Sequence, residues 1–169
     1  WAFSATEEIE SALFMKTGHL KRLSTQQIIS CDKKDNGCDG GDTVTAYSYV
    51  KKAGGIDAAG DYPDKSHTTG RTGKCTWDHK KVAQISGFAW ATKPCKRGAC
   101  NQQDETALAR ALAQHGPVSI CVNAGNWNLY KRGVYSRKCS AAYRDVDHCV
   151  QLVGFDASAS PPFWIVRNS

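Results

Sequence analysis

The sequence predicts an α+β fold in two lobes, a mainly helical lobe over residues 1–87 and a β-rich, antiparallel, barrel-like lobe over residues 88–169. Three observations predict this arrangement. Apolar residues recur at helical spacing in the first third of the chain, and short β-branched and aromatic runs separated by turn formers fill the last third. A stretch rich in Gly, Thr, Asp and Lys lies between them. With 169 residues, the chain can form one substantial core or two small ones.

The first predicted helix starts at the beginning of the chain, near Trp1. Its apolar residues lie on one face at helical spacing: Ala2, Ala5, Ile9, Ala12 and Leu13. Glu7 and Glu8 fall on the opposite face, as an amphipathic helix requires. Gly18 is expected to end this helix, because glycine readily adopts the left-handed backbone of a C-terminal cap.

Two shorter helices are predicted next. Ser24 followed three residues later by Gln27 is a capping-box pattern, so the second helix should begin there and end near Cys31. A third helical segment follows the loop at 32–41 and should stop at Gly54, which suits a left-handed cap. The first lobe is therefore expected to be mainly helical.

The pattern changes after residues 57–81, which we expect to be loop. Asp104 predicts the N-cap of a further helix, and Gly116-Pro117 predicts its end. Four short runs with β-branched or aromatic residues are typical of strands: Val118–Val122, Gly133–Tyr135, His148–Phe155 and Phe163–Asn168.

Composition excludes several classes of protein. The formal charge of +6 comes from scattered residues without a basic run, which indicates a solvated surface and no nucleic-acid partner. No apolar run approaches the roughly 20 residues that a membrane-spanning helix needs, so we expect no membrane association. Eight cysteines favour an oxidising compartment, and hence a lysosomal, vacuolar or secreted protein. Both ends of the sequence fall inside periodic patterns, so we expect the chain to be cut from a longer one.

Four motifs occur in order along the chain: Trp1-Ala2-Phe3-Ser4, the cysteine- and glycine-containing run Cys31–Gly41, Asp147–Phe155 and Trp164–Ser169. In that order they resemble the helix after the nucleophile, the cysteine-glycine loop, the catalytic-histidine strand and the catalytic-asparagine strand of papain-like cysteine peptidases, the papain and cathepsin L family. The resemblance extends over nearly the whole sequence. It implies that the two lobes flank a cleft that holds the active site.

The resemblance implies a Cys-His-Asn mechanism in which the nucleophilic cysteine lies directly before Trp1, outside this sequence. A thiol with an ordinary pKa of about 8.5 is mostly protonated at acidic pH, so an imidazolium and a helix amino terminus must hold it as thiolate. His148 is the implied imidazolium, and Asn168 is the implied amide that orients the imidazole. Without the nucleophile, the chain as given is expected to have no peptidase activity.

The resemblance also implies substrate-binding residues. Gly40 and Gly41 map onto the loop whose backbone pairs with an extended peptide, and the carbonyl of Asp147 should face the substrate. Three residues map onto the apolar pocket for the substrate residue two before the scissile bond: Cys121, Val146 and Cys149. Cysteines at 121 and 149 replace the small aliphatic residues expected there, which leaves open whether they form a disulfide.

The remaining cysteines are interpreted as crosslinks. The resemblance pairs Cys31 with Cys75, and it implies partners outside the sequence for Cys38 and Cys139. Cys95 and Cys100 are close enough in sequence to form a local crosslink of their own. A zinc site is the alternative, but structural zinc sites use two cysteine knuckles of matched spacing, which this sequence lacks. We therefore expect no metal and no organic cofactor.

The predicted function of the full protein is that of a cysteine endopeptidase, made as an inactive precursor and acting as a monomer. Its expected partners are peptide and protein substrates, its own propeptide and cystatin-like inhibitors. Three alternatives stay open. A non-catalytic relative would lack the thiol before Trp1 and bind peptides or a partner, a disulfide-rich structural domain would share only the fold, and an exopeptidase of the family would need a cleft-blocking segment.

Overall fold

A computed structural model describes every residue from Trp1 to Ser169. The chain divides into two compact units, the first comprising Trp1–Ala89 with the single residue Ser169 and the second comprising Trp90–Asn168. The first unit is helical and the second contains a β-sheet. No helix in either unit combines the length and the apolar character needed to cross a membrane.

The first unit contains four helices: α1 (Ala2–Thr17), α2 (Thr25–Cys31), α3 (Thr43–Ala53) and the short α4 (Ser66–Thr69). The first three confirm the three helices predicted from apolar spacing and from the capping-box pattern at Ser24. Gly18 and Gly54 adopt left-handed backbone after α1 and α3, with φ of 73° and 79°. The Gly18 amide donates to the Phe14 carbonyl over 2.7 Å, so the helix ends where the glycine permits this turn.

One apolar cluster forms the core of this unit. The inner face of α1 packs there against α2 and α3 through Ala2, Ala5 and Ile9, as its spacing predicts. Two expectations for this helix are wrong, because Ala12 is exposed and Glu7, expected on the opposite face, is buried. The cluster also includes residues from the segment after α3, where Ile56 and Ala83 exchange backbone hydrogen bonds. Its buried members are Ala2, Ala5, Ile9, Leu23, Ile28, Ile29, Ala46, Tyr47, Val50, Ile56 and Ala83.

A buried glutamine joins α2 to the chain that follows α3. The Ser24 hydroxyl accepts from the backbone N–H of Gln27 over 3.0 Å, which is one half of a capping box. The side chain of Gln27 turns inward instead of supplying the other half. Its Nε2 donates to the Gly55 carbonyl and to the Tyr49 hydroxyl, both over 3.2 Å, and its Oε1 accepts from the Asp57 amide over 2.8 Å. Gln27 is 0% exposed, and both the nitrogen and the oxygen of its side-chain amide have hydrogen-bond partners.

The segment 57–81, predicted to be loop, contains α4 and is anchored to α2. The Oε1 atom of Gln26 accepts from the amides of Lys65 and Ser66 over 2.7 and 2.8 Å. Its Nε2 donates to the Thr72 carbonyl over 3.2 Å. The loop prediction is therefore wrong at α4, because this turn is stabilised by a glutamine about 40 residues away, and periodicity does not register such a contact.

The second unit contains α5 (Glu105–His115) and three strands, β1 (Val118–Val122), β2 (His148–Asp156) and β3 (Phe163–Arg167). The strands form an antiparallel sheet in the order β1-β2-β3. Asp104 caps α5 as predicted, its carboxylate accepting from the Ala107 amide over 2.8 Å. α5 packs against β1 and β2, and the buried Leu112 lies on this helix.

The strand predicted at Gly133–Tyr135 does not form. Gly133 has φ of 84°, a left-handed backbone that is incompatible with a strand. The Tyr130 hydroxyl donates to the Gly133 carbonyl over 2.7 Å and holds this turn. The β-branched and aromatic residues of this run therefore belong to an irregular connection between β1 and β2.

A buried carboxyl lies at the end of α2. Asp32 is 4% exposed, and its Oδ1 accepts from the Lys34 amide over 2.9 Å. Its Oδ2 has no hydrogen-bond partner. Burial raises the pKa of Asp32, the Lys34 amide opposes this shift, and the neighbouring Asp35 carboxyl adds to it. The folded chain therefore favours the protonated form of Asp32 more than the unfolded chain does.

We expect Gln27→Ala to lower the free energy of unfolding by about 2–4 kcal/mol, because the buried backbone groups that Gln27 binds lose their partners. Urea unfolding followed by circular dichroism measures the change. Gln102→Ala, at an exposed position, is the control and should change stability little. A loss for Gln27→Ala no larger than that of the control would contradict this role.

Stability should depend on pH through Asp32. Its folded-state pKa is raised, so its favourable contribution is complete below the ordinary pKa of an unfolded Asp, about 4, and is lost as the pH rises through the folded value. We expect Asp32→Asn to be more stable than the parent at neutral pH, with the difference shrinking as the pH falls. Unfolding free energies measured across pH test this. Asp78→Asn is the control, because a hydrogen bond from the Lys80 amide lowers the pKa of Asp78. This variant should be less stable than the parent at neutral pH, the opposite direction to Asp32→Asn.

Candidate functional site

His148 and Asn168 lie within hydrogen-bond distance of each other. His148 is the first residue of β2, and Asn168 directly follows β3. The distance between His148 Nε2 and Asn168 Oδ1 is 2.7 Å. An amide oxygen can only accept, so Nε2 carries the hydrogen and donates it. In the neutral ring, Nδ1 is then the nitrogen that can take up a proton.

The sheet register brings these two residues together. Arg167 is the last residue of β3 in the ladder and pairs with Gln151, which sets Asn168 beside Val150. Side chains two residues apart on a strand share a face, so His148, Val150 and Asn168 lie on one face of the sheet. The pairing of β2 with β3 therefore determines whether the imidazole and the amide meet.

An aromatic residue that the sequence did not single out also contacts the imidazole. The indole of Trp127 meets the His148 ring edge-on, with ring centroids 5.9 Å apart and planes at 89°. Trp127 begins a short 3-10 turn in the connection between β1 and β2. Its only signal in the sequence is a local richness in aromatic residues, with Tyr130 and Tyr135 nearby, which has neither helical nor strand periodicity.

Asp147 braces this connection. Its carboxylate accepts from the Ala124 amide over 2.7 Å, and its own amide donates to the Val122 carbonyl over 3.1 Å. The Ala124 carbonyl accepts in turn from the Trp127 amide over 2.8 Å. The side chain of Asp147 thus helps to hold the turn that carries the indole beside His148.

Cys121 and Cys149, whose pairing the sequence left open, form a disulfide. They are directly opposite each other in the β1–β2 ladder, with Cα atoms 4.0 Å apart. Because side chains alternate along a strand, this disulfide lies on the face opposite to His148. Cys121 is exposed, Cys149 is buried and Val146 is half-buried, and all three lie in the second unit with His148.

Two other disulfides form. Cys31–Cys75 ties the end of α2 to the segment that contains α4, and Cys95–Cys100 closes a short loop in the second unit. Cys38 and Cys139 are exposed free thiols. The histidines and cysteines form no cluster with Asp or Glu that could hold a metal ion.

Gly40 and Gly41 lie in the first unit and differ in what surrounds them. Gly40 has φ of 119°, which disfavours any other residue, and a side chain there would meet open space. A Cβ on Gly41 would lie 2.7 Å from side-chain atoms of both Trp1 and Asp35. The chain's own packing therefore requires glycine at 41. The indole of Trp1 is held here by a 3.1 Å hydrogen bond from Nε1 to the Gly37 carbonyl.

Known proteins resemble this chain over its whole length. A family model described as papain family cysteine protease matches residues 1–169. Cysteine proteinase 1 of Zea mays is 36% identical over 189 residues, an alignment that covers 100% of this chain and 46% of the maize protein. Cathepsin F of Drosophila melanogaster is 35% identical, with 100% of this chain and 27% of that protein covered.

A solved structure also matches, that of digestive procathepsin L 3 from the larval midgut of Tenebrio molitor. The TM-score is 0.82 at 30% sequence identity, and the match covers 99% of this chain and 52% of that one. The chain thus spans about half the length of the relatives it matches, or less. The match confirms the predicted α+β fold as papain-like, and the chain belongs to the papain family of cysteine proteases.

Proposed function

We propose that the full-length protein is a cysteine endopeptidase whose nucleophile is a cysteine directly before Trp1. The observation that carries this proposal is the 2.7 Å hydrogen bond between His148 Nε2 and Asn168 Oδ1 in a chain of the papain family. An imidazole with one nitrogen held by an amide oxygen has its other nitrogen available for proton transfer. A purely structural domain has no need of such a pair.

In the proposed reaction, Nδ1 of His148 takes the proton of the thiol, and the thiolate attacks the carbonyl carbon of the scissile peptide bond. The imidazolium then gives that proton to the departing amine, which leaves an acyl group joined to sulfur as a thioester. A water molecule, deprotonated by Nδ1, hydrolyses the thioester and regenerates the thiol. Asn168 keeps the ring in one orientation through these transfers because Nε2 donates to it throughout.

The first unit contributes the opening helix. α1 is 16 residues long and begins at Ala2, with Trp1 at its N-cap. A cysteine just before Trp1 would lie at the amino end of this helix, where unpaired amides and the helix dipole favour a negative charge. We propose that this environment stabilises the thiolate. The Trp1–Gly37 hydrogen bond fixes the indole next to that position.

We propose that the substrate peptide binds in an extended conformation to backbone groups of Gly40, Gly41 and Asp147. The open space beside Gly40 supports this assignment. The amide and carboxylate of Asp147 bind other residues of the protein, so the carbonyl is the group we assign to the substrate. The apolar pocket for the residue two before the scissile bond is assigned to three residues: Cys121, Val146 and Cys149.

We also propose where and with what the protein acts. Three disulfides support an oxidising route and a lysosomal, vacuolar or secreted location. The similar Tenebrio protein is a procathepsin, which supports synthesis as a precursor with a propeptide. Peptides and proteins are the proposed substrates and cystatin-like proteins the proposed inhibitors, and the protein is proposed to act as a monomer.

The nucleophile can be identified with a peptidyl epoxide, which alkylates an activated thiol. We expect mass spectrometry of the treated full-length protein to find the label on the residue before Trp1. His148→Ala should abolish labelling, because the thiol loses its base, while His115→Ala, at the end of α5, should leave it unchanged. Labelling of other cysteines with none on the residue before Trp1 would refute the assignment. A residue other than cysteine before Trp1 would favour a peptide-binding, non-catalytic relative.

Asn168→Ala removes the group that orients the imidazole. We expect kcat/KM of the full-length protein to fall by about 10- to 100-fold, which corresponds to roughly 1.4–2.7 kcal/mol of transition-state stabilisation. The fall should lie in kcat, since Asn168 is not assigned to substrate binding. Steady-state kinetics on a fluorogenic peptide measure both constants, with Asn101→Ala, on an exposed loop, as control. An unchanged kcat would show that the His148–Asn168 bond is irrelevant to turnover.

A further inference from the structure

The end of β2 that carries His148 is supported by the sheet on one side only. β1 pairs with residues 148–152 of β2, whereas β3 pairs with residues from Gln151 to Asp156. Residues 148–150 therefore have a ladder partner in β1 and none in β3. Strand ends that lack a second neighbour open more readily than the centre of a sheet.

The Cys121–Cys149 disulfide is located at this end. Val122–His148 is the last pair of the β1–β2 ladder, and Cys121–Cys149 is the pair next to it. The crosslink joins the two strands across the ladder, with the Cα atoms 4.0 Å apart. It prevents the last pairs from separating, and it also prevents β2 from shifting along β1.

Such a shift would matter for the imidazole. A slip of one residue turns every side chain of a strand to the other face of the sheet. His148 would then leave the face that carries Asn168, and the 2.7 Å bond between them would break. Opening of the strand end would have the same result, since the backbone of His148 would no longer be fixed against β1.

We infer that the Cys121–Cys149 disulfide is a positioning crosslink, which holds the start of β2 against β1 so that the His148 imidazole stays bonded to Asn168. The two cysteines act through His148 and do not touch the reacting atoms. The catalytic consequence rests on the proposed function, whereas the consequence for the strand end does not.

The disulfide also has a global effect that must be separated from this role. It closes a loop with a sequence separation of 28 residues, so it is expected to stabilise the whole fold by restricting the unfolded chain. Cys95–Cys100, in the same unit, has a separation of only 5 residues and lies outside the strands. It is therefore a control for the loss of a disulfide from this unit. The larger global effect of losing Cys121–Cys149 is recognised separately, because it accelerates hydrogen exchange equally along the whole of β2.

The test uses the full-length protein with both cysteines replaced. Cys121→Val with Cys149→Val removes the covalent bond but keeps apolar, β-branched side chains that suit a strand, so we expect the fold to be retained. Cys121→Ala with Cys149→Ala is the second variant, and Cys95→Ala with Cys100→Ala is the control. Circular dichroism and thermal unfolding select a temperature at which all variants are folded.

Backbone hydrogen exchange provides a readout that needs no catalysis. We expect the amides among residues 148–150 that face β1 to exchange about tenfold faster or more in both Cys121/Cys149 variants, while residues 151–156 change much less. The control should change neither group. Equal acceleration along the whole of β2, or no change at residues 148–150, would overturn the inference.

Kinetics provide a readout that a purely structural crosslink would not affect. We expect kcat at saturating substrate to fall about tenfold in the Val/Val variant. The readout is kcat and not KM, because both cysteines are also assigned to the substrate pocket and their replacement can change KM for that separate reason. Introducing Asn168→Ala into the same variant tests the route of the effect. If the crosslink acts through the His148–Asn168 bond, removing the crosslink should lower kcat little further once Asn168→Ala has removed that bond.

The outcomes separate the inference from the proposed function. Faster exchange at 148–150 in a protein without peptidase activity would reject the proposed function and keep the positioning role. If removing the crosslink lowers kcat as much in the Asn168→Ala background as in the parent, the positioning role is overturned and the peptidase assignment stays in place.

Discussion

The pairing of β2 with its two neighbours is the constraint on which the candidate site depends. The imidazole of His148 comes from the start of one strand and the amide of Asn168 from the residue after another, 20 positions later in sequence. They meet because the antiparallel ladder sets these positions side by side and the pleat turns both side chains to one face. The β2–β3 ladder has a register shift between Leu152 and Gly154. Two regular pairs, Gln151–Arg167 and Leu152–Val166, separate this irregularity from Asn168.

The first unit is held together by side-chain hydrogen bonds and a disulfide instead of a sheet. Adjacent glutamines at 26 and 27 project from α2 in two directions and satisfy backbone groups in segments that have little secondary structure of their own. Buried amides of this kind contribute modestly to stability when bonded and cost much more when a partner is lost. They therefore specify where the chain after α3 runs. The Cys31–Cys75 disulfide ties the same helix to that segment at a third point, so α2 organises the lobe in which α1 begins.

Local signals in the sequence predicted local structure well. The caps at Ser24, Asp104 and Gly54 were predictable because each acts within a few residues of itself. The helix α4, the turn at Gly133 and the position of Trp127 were not predictable, since each depends on a partner that is distant in sequence or on an irregular connection. The sequence motifs nominated His148 and Asn168 as candidates, but only the register of the sheet could show that their side chains lie 2.7 Å apart. The same register was needed to show that Cys121 and Cys149 are opposite each other.

The proposed chemistry places two requirements on sulfur in one protein. The nucleophile must be a reduced thiol, whereas the Cys121–Cys149 bond must stay oxidised if it is to hold β2. Thiol–disulfide exchange requires an attacking thiolate to reach a sulfur atom. Cys149 is 8% exposed, so attack is restricted to the exposed Cys121 side. Even when that bond opens, the two cysteines remain opposite each other in the ladder, and the nearby thiol can close it again. The geometry that makes the crosslink useful to His148 therefore also favours its survival where the nucleophile is kept reduced.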